Sequence, residues 1–288
     1  MIIKFTWLGT AAYVLDLDGT RVLFDPFFFR NENSSPLLEI KREQLTDISA
    51  VLITHAHVDH ITDAAWFAEN HDIPVYTSKI GKENMIKWCA GEIIDFENYS
   101  LKFTTEPYCL TEKGEKNIIP IEWGDQLKIT NDIYVDVLKS KHINFDFNTI
   151  WSRLTSKQFW NEAKNLLPLA KGLPMGKVFG FCTNYNQSKI VSYGSLYHKE
   201  KTQLTELANI DLFIAPLAGN SPKHMAKKVC KMVSYLNPST VIPIHWDNFF
   251  PPISRLEDLD PFLDKMKKNF PKVNLIIPSI NEEIVVMD

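Results

Sequence analysis

The 288-residue chain is poor in cysteine, holding four, Cys89, Cys109, Cys182 and Cys230, widely scattered and without a CxxC pair. That excludes a disulfide-stapled scaffold, gives cysteine ligation of a metal no support, and reads as the reduced thiols of a cytoplasmic protein. No apolar run approaches the ~20 residues needed to cross a bilayer. The apolar opening from Met1 to Leu8 breaks at Gly9, so it is a first strand rather than a secretory segment. A polybasic tract is also missing: 31 basic residues face 35 acidic ones, for a formal charge of −4. Nucleic acid and anionic membrane surfaces are therefore not expected partners. No Gly/Ser/Pro linker or short-period repeat divides residues 1–288, so a single domain is expected. Nothing in the sequence specifies an oligomeric state.

Histidine is scarce too, with eight in the chain, yet His55, His57 and His60 fall in one short loop together with Asp59. The apolar run Ala50-Val51-Leu52-Ile53 delivers that loop. Imidazole and carboxylate suit zinc, manganese and iron, and a ligating cluster needs several of them on a firm support. A strand ending in a tight loop provides one. A surface turn decorated with histidines explains the concentration poorly.

The rest of the chain alternates strand and helix patterns. Ile2 to Trp7, Tyr13 to Leu17 and Arg21 to Phe24 read as strands, with Asp18-Gly19 as a hairpin turn. Asp25 ends the third of these, and Phe27-Phe28-Phe29 follows as core or pocket wall. A short helix is expected around Leu37 to Gln44. After the histidine loop, Ile61, Ala64, Ala65 and Ala68 share a helical face, and Pro74-Val75-Tyr76 is the next strand. The ligand-bearing loop thus sits at the carboxyl end of a strand in a βαβ-like unit, where open α/β sheets place their sites.

Residues 79–90 read as helix, and 91–117 carry no clear pattern. Ile118 to Trp123, Leu127 to Ile129 and Ile133 to Leu138 read as successive hairpins, the last running into His142. Residues 143–177, rich in Phe and Trp, interrupt the sheet pattern as either a lid over the site or a small satellite core. Strands resume at Val178 to Thr183, Lys189 to Tyr193 and Asp211 to Ala215. Ser221-Pro222 then opens a helix whose Met225, Val229, Met232, Val233 and Leu236 share a face. Thr240 to Ile244 is a strand ending in His245. A helix near Asp260 to Asn269 and closing strands at Val273 to Ile277 and Glu283 to Met287 complete a four-layer α/β body.

The run His-Ala-His-Val-Asp-His at 55–60, with Asp25 upstream and strand-end His142 and His245 downstream, resembles the metallo-β-lactamase-fold metallohydrolases. The segment Pro243-Ile244-His245-Trp246 is most similar to their cytosolic metal-dependent hydrolase branch, which includes relatives of the ascorbate-phosphate lactonase and of the phospholipase D acting on N-acyl ethanolamines. The resemblance implies an αββα sandwich with two metal positions at one edge. It implies His55, His57 and His142 at the first, Asp59, His60 and His245 at the second, and Asp25 orienting a ligand imidazole. Where most members carry a bridging aspartate after a strand-end glycine, this chain has Ser195, a weak ligand that leaves the second position looser. Asp247 and Asp146 are the nearest acids that a rearranged site would recruit.

Zinc is the expected cofactor, as one or two ions, with manganese or iron as the alternatives. The expected chemistry is attack by a metal-bound hydroxide on an ester, lactone, amide or phosphodiester of a small-molecule substrate. A second metal, or a donor such as Ser195, would stabilise the oxyanion, and Asp59 would accept a proton where the second metal is absent or weakly held. The alternative is a metal- or ligand-binding module of the same fold that turns nothing over, motivated by Ser195. His71, His198 and His224 read as surface or capping residues, Lys141 and Arg153 as solvated charges, and Trp246 with Phe249-Phe250 as pocket wall or core.

Overall fold

A computed structural model describes residues 2–95, 104–144, 151, 155, 157, 160, 168, 169, 171–251 and 254–288. Its framework is a pair of seven-stranded sheets. The first contains β1 (Ile3–Trp7), β2 (Tyr13–Leu17), β3 (Thr20–Phe24), β4 (Ile48–Leu52), β5 (Val75–Thr77), β6 (Ile118–Pro120) and, at its far edge beside β1, β14 (Glu283–Met287). The second contains β7 (Gln126–Lys128), β8 (Ile133–Ser140), β9 (Val178–Tyr185), β10 (Ser188–Tyr193), β11 (Leu212–Pro216), β12 (Thr240–Ile244) and β13 (Asn274–Leu275). Both sheets follow one plan. An antiparallel run, β14-β1-β2-β3 or β7-β8-β9-β10, passes into a parallel run through β4-β5-β6 or β11-β12-β13.

The helices among the described residues are α1 (Val58–Ile61), α2 (Ala64–His71), α3 (Lys79–Cys89), α4 (Glu112–Lys116), α5 (Lys201–Glu206), α6 (Pro222–Leu236) and α7 (Asp260–Asn269). Three apolar clusters show how they are layered. Val51 and Ile53, on the loop-bearing strand, pack outward with Ala64, Ala65, Phe67 and Ala68 of α2 and Met85 and Trp88 of α3. Leu52 between them faces inward, among Phe5, Trp7, Phe24, Phe179, Phe181 and Ile242, in the seam between the sheets. Val191, Phe213 and Val241 pack the far face of the second sheet against Val229, Met232 and Val233 of α6 and Phe262 and Met266 of α7. Successive side chains of a strand point to opposite faces, so strands buried on both sides must be apolar throughout. Helix, sheet, sheet and helix are the four layers of an αββα sandwich.

Asp18 and Gly19 both adopt left-handed backbone, with φ of 52° and 92°, the conformation of a tight hairpin turn between β2 and β3. Two expectations fail. Residues 37–41 are not helical, and only the 3-10 turn Arg42–Gln44 forms there. The amides of Glu39 and Ile40 are given instead to the Asn281 side chain, at 3.2 and 3.4 Å, so a distant loop takes the donors a helix would use. The expected pairing of Ile118 to Trp123 with Leu127 to Ile129 is also wrong, because β6 closes the first sheet beside β5 while β7 opens the second beside β8.

Most of the 143–177 excursion, including Phe145, Phe147 and Phe159, lies outside the described residues. Its exit packs against the first sheet. Leu169 and Leu173 join the outer cluster of the first sheet, and the Met175 carbonyl accepts from the Ala56 amide at 3.0 Å. The last part of the excursion therefore braces the histidine loop.

Candidate metal centre

The carboxyl ends of β3, β4, β8, β10 and β12 meet at one edge of the two sheets, and each delivers a residue there. Asp25 follows β3, the loop His55 to His60 follows β4, His142 follows β8, Ser195 follows β10 and His245 follows β12. The ligand-capable atoms of His55, His57 and His142 lie within 4.8 Å of one another, and so do those of Asp59, His60 and His245. The two groups adjoin, since the His55 and His60 ring centroids are 3.9 Å apart.

Hydrogen bonds set which nitrogen each ring presents. Asp25, buried behind the loop, accepts from the Thr54 amide at 2.7 Å, the Thr54 hydroxyl at 2.5 Å and His60 Nδ1 at 2.8 Å. A carboxylate only accepts, so Nδ1 carries a proton and Nε2 is the nitrogen turned toward Asp59. His142 Nδ1 likewise donates to the Ile143 carbonyl at 2.8 Å. His60 Nε2 and His245 Nε2 approach Asp59 Oδ2 at 3.5 and 3.4 Å. Thr54, the residue ahead of the motif, had no role in the sequence reading, yet it shares Asp25 with His60 and thereby anchors the loop.

Electrostatics separates the two groups. Burial, reinforced by neighbouring imidazoles, holds His55 well below its ordinary value, and burial takes His57 down to about 4 and lowers His142. These rings are neutral, with lone pairs available, at neutral pH. At His60 burial acts downward, but the carboxylates of Asp25 and Asp59 outweigh it and raise the imidazole. Burial would raise Asp59, but the His60 and His245 imidazoles more than reverse it and hold the carboxyl far below its usual range.

The donor set fits a transition-metal dication. His55 is 2% exposed and its Nε2 has no hydrogen-bond partner, a buried polar atom of the kind that proteins rarely leave unsatisfied. Imidazole nitrogens with fixed tautomers and one ionised carboxylate are the borderline-soft ligands that zinc, manganese and iron accept.

Other expected residues fall differently. Ser195 is buried, and its hydroxyl accepts from the Ile143 amide at 2.9 Å, tying the end of β10 to the residue after His142. Asp247 is not available to a rearranged site, because its oxygens are taken by the Thr10 amide at 2.8 Å and the Arg30 guanidinium at 2.7 Å. Asp146 and Arg153 lie outside the described residues, and Lys141 is exposed. Phe249 walls the site, its ring edge-on to His245 at 5.0 Å and to Phe27 at 6.1 Å. Trp246 faces away into the sheet seam, against Trp7 at 4.8 Å. His71 is no plain surface residue, since it stacks on Phe67 at the end of α2 with centroids 5.8 Å apart.

Known proteins share both the sequence and the architecture. The chain is 26% identical to a metal-dependent hydrolase of Pyrococcus abyssi over 88% of each chain. It is 32% identical to one of Methanopyrus kandleri over a shorter stretch, 34% of this chain and 44% of that one. A metallo hydrolase of Ignicoccus hospitalis, at 17% identity, superposes with a TM-score of 0.63 over 99% of this chain and 98% of that one, a likeness of fold. No helix among the described residues is long and apolar enough to cross a membrane. The profile of the family described as the beta-lactamase superfamily domain matches residues 4–245, and the chain therefore belongs to that family.

Proposed function

We propose that the chain is a metal-dependent hydrolase acting through the two histidine-rich groups on an ester, lactone, amide or phosphodiester of a small molecule. The observation that carries this reading is the convergence, from separate strand ends, of two adjoining ligand sets of buried and half-buried imidazoles with one carboxylate. His55, His57 and His142 would hold one ion, and Asp59, His60 and His245 a second. Zinc is the metal this donor set favours, with manganese and iron as alternatives. Bound there, a dication supplies Lewis acidity and lowers the pKa of a water from about 16 toward 7.

The chain's own residues supply the rest. Where the second ion is absent or weakly held, Asp59, ionised at neutral pH, would accept a proton through Oδ2, as a weak base. Asp25 fixes the His60 tautomer, and Phe249 with Phe27 excludes water beside His245. Ser195, through the Ile143 amide, secures the strand end that carries His142 and still has its own proton to offer a developing oxyanion. One domain in a reducing cytoplasm suits the continuous sheets and the four unpaired thiols.

The test is elemental analysis of purified protein together with a broad panel of chromogenic esters, lactones, amides and phosphodiesters. The expected result is stoichiometric transition metal and chelator-sensitive turnover, with both lost in His57→Ala. Protein that neither contains nor takes up metal overturns the reading. The second reading, a metal- or ligand-binding module without turnover, is favoured by Ser195, whose neutral hydroxyl neither bridges two cations nor offsets their charge. Stoichiometric metal without turnover of any panel member would select it.

A further inference from the structure

His60 and His142 each have a hydrogen-bond acceptor that fixes the ring, but His245 does not. Its Nδ1 is buried and has no partner, although the residue is only 6% exposed. The ring must therefore be aimed by its backbone and its packing. That backbone is uncommon, because His245 sits at φ 62°, in the left-handed region that few non-glycine residues adopt.

The residues that follow supply the constraint. Asp247 is 1% exposed and bonds through Oδ1 to the Thr10 amide and through Oδ2 to Arg30 Nη2. Asn248 pairs with Ser35 through both backbone amides, at 2.9 and 2.8 Å. Thr10 is itself left-handed at φ 52°, and its carbonyl accepts from Trp7 Nε1 at 3.0 Å. Gly9, at φ 84°, completes the arrangement, since a Cβ there would collide with the Arg30 guanidinium. Arg30 is also 1% exposed, with Nε and Nη1 unpartnered and only the distant Pro36 carbonyl, at 3.5 Å, besides Asp247.

A guanidinium this incompletely satisfied is a poor stabiliser. Desolvation of a buried ion pair consumes most of the Coulomb gain, and well-packed neutral residues commonly serve stability as well. What the pair provides is geometry. It joins residues 217 positions apart and pins the turn that aims His245.

We propose that Arg30 and Asp247 are positioning residues for the second ligand group, holding His245 in place of the ring acceptor that His60 and His142 possess. This rests on the two-ion reading given above. The first group, on the β4 loop and β8, does not depend on the pair.

The test is cobalt(II) titration of metal-free protein, followed by visible d–d absorption and by equilibrium dialysis. The variants are Arg30→Met/Asp247→Asn, which removes both charges together, and Arg30→Lys, which keeps the charge without the planar fork. Wild type is expected to bind two ions. In the double variant the first ion should be retained at near wild-type affinity and the second weakened roughly 10- to 100-fold, with Arg30→Lys intermediate. Wild type binding fewer than two ions overturns the two-ion reading itself. Wild type at two ions, with a variant holding the second as tightly or losing both equally, overturns the positioning role. Thermal melts by circular dichroism identify a variant that does not fold. If the double variant is one, Arg30→Lys decides the matter by the same comparison.

Discussion

Asp25 shows how much a single buried carboxylate does at this site. It caps the end of β3 in left-handed backbone, at φ 42°, and takes three hydrogen bonds, two from Thr54 and one from His60. Its contact with Thr54 depends on a third strand end. Gly194 lies directly against the Thr54 side chain and close to Asp25 Oδ2, where a Cβ has no room. Gly194→Ala should therefore force Thr54 off Asp25, release the His60 tautomer and destabilise the fold by about 1–3 kcal/mol, the usual range for overpacking a tight interior. Urea denaturation measures the stability, and metal content measures the release. A variant with wild-type stability and metal content would show that the loop yields without cost. The residues a sequence reveals here are those whose chemistry is rare and closely spaced, such as the histidines and Asp59. Asp247 illustrates the limit: its place two residues after His245 suggests a ligand, whereas its partner Arg30 is brought to it only by the fold.

Among the elements, the join between α1 and α2 carries a polar anchor that the sequence did not announce. Asp63 is fully buried and accepts from the amides of Phe28 and Phe29 at 2.6 and 2.7 Å and from Arg42 Nη1 at 2.8 Å. Arg42 in turn lies over the rings of Trp66 and Tyr108, at 5.2 and 5.1 Å. The anchor ties the phenylalanine segment after β3 to the end of the helix bearing Asp59 and His60. Asp63→Ala would leave two buried amides and a guanidinium without their acceptor. It should cost about 3–5 kcal/mol, read as a lower urea midpoint, with Asp63→Asn losing less because its amide oxygen still accepts. An unchanged midpoint in the alanine variant would mean that water replaces the carboxylate freely. Element boundaries were legible where a period ran long enough to declare itself, as in α6, whose Met225, Val229, Met232, Val233 and Leu236 are all buried. They were not legible where three residues make a strand. Ile118–Pro120 has too short a pattern to show which sheet it joins, and the partner is decided by β5, far away in sequence.

At the scale of the whole molecule, two sheets of matching plan bring several strand ends to one edge, and the site draws on both. Its electrostatics should be visible in the stability of the metal-free protein. His55, His57 and His142 are held below their ordinary value chiefly by burial, His57 at about 4. As pH falls below roughly 6.5, the unfolded chain protonates these rings while the folded chain keeps them neutral, so stability declines with falling pH. The decline is at most about 1.4 kcal/mol per pH unit for each such group. It ends for His57 only near pH 4, where the folded form takes up the proton as well. His60 works in the opposite direction, because its carboxylate partners raise it and the folded state then gains protons first. Asp59 contributes nothing to the slope in this window, since its depressed value matters only below the unfolded carboxylate range near roughly 4. With three rings opposing one, the urea midpoint of chelator-treated protein should fall between pH 7.5 and 5. His57→Ala should flatten that fall, because two lowered rings then oppose His60 rather than three. A midpoint that held constant or rose on acidification of the wild-type chain would show that the histidines are already charged in the folded, metal-free state, and that the site opens to water when no ion holds it closed.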